Sequence, residues 1–107
     1  ICDTDEILFA SGEGRKEFAK KHISEQLGKV MQGRRSYLAN LSEGGDIIPL
    51  AEDSDFKATA QIIVPIVSGG DCLGAVSLLS GEDGAKMEIG SVNLCRLTAD
   101  ILANQFE

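Results

Sequence analysis

The chain has 107 residues, 43% hydrophobic and 25% charged, with 17 acids against 10 bases and a net charge of -7. This is the length of one domain and the composition of a globular one, with no run near the ~18 apolar residues of a membrane span. An acidic field of this kind repels a polyanion, which argues against a DNA-binding surface within these residues.

The amino end lacks the basic patch, short apolar core and small-residue cleavage site of an export signal, so a cytoplasmic location is expected. The chain opens on Ile1 and runs into Ile-Cys-Asp, which reads as the second half of a strand. An excised domain is therefore expected, 1–107 as a single unit, with further sequence upstream.

ICDTDEILFASG reads as a hairpin: a strand end, a Thr-Asp-Glu turn rich in side chains that bond their own backbone, then Ile7, Leu8, Phe9 and Ala10. Asp3 and Asp5 raise the question of calcium, but the further oxygen ligands, central glycine and distal glutamate of a calcium loop are missing. A plain turn is the expectation. GEGRKEFAKKHISEQLGKVMQG predicts helix in two pieces, with Ser24 as an N-cap, Leu27, Val30 and Met31 at helical spacing, and Gly33 closing the end. His22, beside Lys20 and Lys21, reads as a solvated helix residue. Arg34 and Arg35 follow the helix end, where they are either solvated or able to take an anion bidentately.

RSYLANL and DIIPLAE are short candidate strands, with Pro49 placing the second at an edge or bulge. ATAQIIVPIVSGGDCLGAVSLLS is a clearer hairpin, two β-branched runs about a Gly-Gly-Asp turn. Its strands are apolar at nearly every residue, the pattern of strands covered on both faces. Pro65 lacks the N–H for a ladder bond and belongs at a bulge or beside a gap, while Gly74 admits a close backbone or ligand.

Residues 83 to 106 predict a long helix with two apolar stripes. Val92, Cys95, Ala99, Leu102 and Phe106 make one, and Met87, Leu94, Leu97 and Ile101 the other, with Asn93, Asp100 and Asn104 on the wet side. One stripe covers a sheet. The second needs another helix, from an upstream segment or from a partner chain.

The chemical inventory is sparse. Cys2, Cys72 and Cys95 form no Cys-x-x-Cys pair and accompany no histidine cluster, so free thiols are expected and neither disulfide nor zinc site. The carboxylates are scattered, and no phosphate-binding glycine motif is present. Neither a catalytic set, a metal site nor a cofactor is expected.

The run IIVPIVSGGDCLGAVSLLS and the helix after it resemble the carboxyl half of a GAF domain: Pro65, Ile66, Leu73, Gly74, Ala75, Val76, Leu78, Ala103 and Gln105 fill the family's places. ICDTDEILFASG resembles that family's first hairpin, and RKEFAKKHISEQLGKVMQGRRS is similar to the matching segment of a sporulation regulator whose upstream domain is of the AbrB DNA-binding type. The resemblance implies an α+β fold, a central antiparallel sheet of five or six strands with helices on both faces and a long carboxyl-terminal helix. It also implies a non-catalytic domain of a transcription regulator that senses a small effector and oligomerises, with DNA bound only through the absent upstream domain and no membrane partner. Two alternatives stand beside it: a purely structural dimerisation module, and a cysteine-dependent methionine sulfoxide reductase on the same fold, against which the scatter of the cysteines argues.

For a ligand, Ser11, Arg35, Phe56, Thr59 and Gln61 are polar or aromatic residues near predicted strand ends facing loops. The pocket is expected between the sheet carrying residues 58 to 68 and the helix-to-strand crossing near Arg35, with the arginines favouring a carboxylate or phosphate. Met87, Leu94, Leu97 and Ile101 are the expected interface for a homo-oligomer.

Overall fold

A computed structural model of the chain describes residues 1–12, 16 and 18–105. In chain order the elements are helix α1 (Glu25–Gly33), strand β1 (Tyr37–Asn40), strand β2 (Ala60–Ser68), strand β3 (Asp71–Ser80) and helix α2 (Ile89–Asn104), with a 3-10 turn at Leu41–Glu43. β2 and β3 form the expected hairpin. Its two-residue turn puts Gly69 at φ 59° and Gly70 at φ 85°, the paired positive φ that a type I′ turn requires.

The sheet is antiparallel in the order β1-β2-β3. Ile66 pairs with Gly74 but Val67 with Cys72, so Leu73 is an extra residue and β3 bulges there. The bulge turns Cys72 to the same side as Ala75 and Leu79, while Leu73 and Val76 join the opposite core. Pro65 lies just beyond this bulge. It pairs with Ala75, whose N–H and carbonyl both bond Cys2 on the far edge, so the pair exchanges no ladder bond. Pro65 therefore turns its backbone toward β1, which ends two residues short, where Tyr37 meets Ile63. The gap takes the missing N–H.

Every residue of β2 from Ala60 to Ile66 is buried, because both faces of the sheet are covered. On one face α2 lays Val92, Cys95, Ala99 and Ala103 against Ile62, Val64, Ile66 and Val76. On the other, Leu27 and Met31 of α1, Leu50, Ala51, Phe18, Cys2 and Ile7 pack around Ile63 and Ala75. Gly74 is fixed by this layer: a Cβ built there would stand 2.0 Å from the Cys2 carbonyl oxygen.

The sheet has three strands, which overturns the five or six that the family resemblance implies. Among the described residues the further pairings exist only as isolated bridges, Cys2 to Ile7 and to Ala75, Glu6 to His22, and Ile23 to Ala51. Their brevity has local causes. The Asp3 carboxylate accepts from the N–H groups of Asp5 and Glu6 at 2.8 Å each, so the tight turn consumes the residues between Cys2 and Ile7. In DIIPLAE, Pro49 has no N–H, and both backbone groups of Ile48 are held by the Gln61 side chain, leaving nothing for a ladder.

The helices are also shorter than the sequence predicts. Ser24 caps α1 as expected, accepting from the Leu27 N–H at 3.0 Å. The left-handed residue that ends α1 is Arg34, at φ 54°, and not Gly33. Among the described residues before Ser24 there is no α-helix; His22 is exposed but lies in a bridge. α2 starts at Ile89, since Gly84 at φ 74° and the extended Glu88 break the chain upstream. The stripe position Phe106 lies outside the described residues.

Candidate functional site: a cavity beside the sheet and a bare helix face

The covering opposite α2 is assembled from α1 and loops and leaves a cavity of about 300 Å³. Ile7, Phe9 and Ser11 from the amino-terminal hairpin, Phe18, Leu27 of α1, Leu50, Phe56, and Ser77 and Leu79 of β3 are among its walls. Phe18 and Phe56 meet with ring centroids 5.4 Å apart and planes tilted by 60°, an edge-to-face contact of the favourable kind.

Two polar side chains hold the walls. The buried Gln61 accepts from the Ile48 N–H at 2.6 Å and donates to the Ile48 carbonyl at 2.9 Å, fixing the loop that carries Leu50. Ser24 does the same from the other side: its hydroxyl donates to the Pro49 carbonyl, and its N–H to the Leu50 carbonyl at 2.9 Å. One serine thus joins the start of α1, and with it Leu27, to the loop of Leu50.

Of the residues expected at a ligand site, Ser11 stands exposed at the cavity and the half-buried Phe56 forms part of its wall. Gln61 faces the loop it clamps. Thr59 donates through its hydroxyl to the carbonyls of Ser80 and Glu82, tying the two ends of the hairpin together. Arg35 is exposed beyond the end of α1 and does not line the cavity. Sequence reasoning missed Ser77, although a lone hydroxyl in the apolar run Ala-Val-Ser-Leu-Leu is a legible signal. It missed Phe9 and Phe18 for lack of any periodic pattern around them.

The thiols divide between the faces. Cys2 and Cys72 share the core on the cavity side and Cys95 lies on the buried face of α2; all three are free. Burial pushes the Cys2 and Cys95 thiols above their ordinary pKa, which suits core residues rather than nucleophiles. No group of three or more His, Cys, Asp or Glu able to hold a metal ion occurs among the described residues.

On α2, Leu94, Leu97 and Ile101 are 63%, 58% and 54% exposed. At ~100° per residue their stripe lies about 170° from the buried one, on the opposite side of the helix. Met87 differs: it is half-buried, packs into the domain's own core, and its backbone N–H and carbonyl are both held by the Asn40 amide at 2.7 and 3.0 Å.

Residues 1–107 match the profile of a family described as Stage V sporulation protein T C-terminal, transcription factor. The chain belongs to that family. It is also similar to Stage V sporulation protein T of Bacillus subtilis (strain 168), 34% identical over 82 residues, which are 77% of this chain and 44% of that protein. The chain thus spans less than half the length of that relative. Membership of the Stage V sporulation protein T family makes these residues a regulatory domain of a sporulation transcription regulator and not an enzyme. No helix among the described residues is long and apolar enough to cross a membrane.

Proposed function

We propose that this domain is the effector-sensing and self-associating part of a cytoplasmic sporulation regulator, with DNA bound by sequence outside these residues. The observation that carries the reading is the sharing of two strands. Ile63, Ser77 and Leu79 face the cavity side, while Ile62, Val64 and Val76 on the same strands seat α2, whose outer face is bare. A molecule filling the cavity presses on strands that α2 rests against, so occupancy biases the position of the helix that meets a partner.

The experiment is a thermal-shift screen of the chain against cellular metabolites, repeated with Leu79→Trp, which fills the cavity. A true effector raises the melting temperature by mass action, and the filled variant loses the response. A screen in which no metabolite stabilises the protein leaves a structural association module.

A further inference from the structure

Resting on the sensing reading, we infer that the cavity takes an uncharged ligand with a flat apolar body and a hydrogen-bonding group that meets Ser77. The walls are built for such a body. Phe9, Phe18 and Phe56 supply aromatic faces, and Ile7, Leu27, Leu50 and Leu79 close the space between them. A volume of about 300 Å³ stands at the lower end of the roughly 300 to 1,000 Å³ of small-molecule sites, ample for one or two fused rings.

Among the described lining residues every side chain is uncharged, so a carboxylate or phosphate would leave water without a charged side chain among them to pair with, which is disfavoured. The domain's -7 charge works against an anion as well. The backbone nitrogen of Ile1, beside the cavity, donates to the Phe9 carbonyl at 2.9 Å. Arg35, the residue that pointed to an anionic ligand in the sequence, is away from these walls.

Polar recognition falls to Ser77. It is half-buried in the middle of β3, opposite Ile63, on the cavity side with Ala75 and Leu79. Its place in a paired strand sets where the residue stands on the cavity wall, as rigid elements do for specific contacts.

The test titrates the nitrogen-15-labelled chain with indole, benzoate and adenosine monophosphate, reading backbone amide shifts. Indole is expected to move the amides of Phe56, Ser77 and Leu79, with benzoate at least about tenfold weaker because its charge enters unpartnered. Ser77→Ala should weaken indole by roughly three- to tenfold, the worth of one neutral hydrogen bond. An unchanged affinity in that variant overturns the role given to Ser77. Tighter binding of benzoate or adenosine monophosphate at the same amides overturns the ligand class and leaves the sensing reading standing. Silence from all three probes in a folded chain overturns the inference, and the metabolite screen then decides the sensing reading by itself.

Discussion

Gln61 grips the backbone of Ile48 with both ends of its amide, accepting at 2.6 Å and donating at 2.9 Å, from a position in the middle strand with no solvent exposure. A buried amide in an otherwise apolar run is tolerated only when it is satisfied in this way. Gln61→Leu removes both partners of Ile48 at once. We expect a loss of about 1 to 3 kcal/mol in urea unfolding, together with a loosened Leu50 wall and weaker probe binding in the cavity. Wild-type stability in this variant would mean that the loop holds itself.

Gly74 meets the Cys2 carbonyl so closely that a Cβ would stand 2.0 Å from it, and the obstacle is backbone, which cannot swing aside. Gly74→Ala should separate the amino-terminal hairpin from β3, costing roughly 2 kcal/mol or more as an overpacked core site does. Hydrogen exchange at the Cys2 and Ala75 amides, which bond each other's carbonyls, should speed up before that of the β2–β3 ladder. Equal protection in variant and wild type would contradict this.

These two contacts mark how far the sequence can be read. The β2–β3 hairpin, its glycine turn, the Ser24 cap and the two-sided α2 were legible because each rests on local chemistry: paired positive φ, a hydroxyl three residues before an N–H, and apolar spacing. The sheet's true extent was not. It depends on Gln61 taking the backbone groups of Ile48, and on Asp3 closing a turn so tight that its flanks share a single bridge. Of the residues picked as a group for their place near loops, Phe56 and Ser11 stand at the cavity walls, whereas Arg35, whose charge also pointed to an anion, is not among them. Met87 shared the helical spacing of Leu94 and Ile101 yet precedes the first turn of α2, where Asn40 fixes it inward.

The Asp3 carboxylate is held below its ordinary pKa by the N–H groups of Glu6 and Asp5. A group with a depressed folded pKa adds stability above its unfolded pKa and loses it as the pH falls through the folded value. Asp3→Asn should therefore be less stable than wild type near neutral pH, with the difference shrinking as the pH drops below about 4. The effect is small because the side chain is largely solvated. Parallel acid limbs in the two proteins would show that the charge contributes nothing.

Cys72 is half-buried while Cys2 and Cys95 are buried, their thiols shifted upward by desolvation. With an aromatic disulfide reagent at pH 8, Cys72 should react about tenfold faster or more than the other two, which wait for local opening. Equal rates for all three would indicate that the core opens faster than the structure implies.

The most direct measurement of the account is the sedimentation mass of the chain beside that of Leu94→Glu/Ile101→Glu. Leu94 and Ile101 lie on the outer side of α2, away from the core, so the substitutions leave the fold intact while placing charges on any seam that self-association would desolvate. The account predicts an oligomer for the wild-type chain and a monomer of unchanged melting temperature for the double variant. A wild-type chain that is monomeric at all concentrations, or a double variant of undiminished mass, would contradict it.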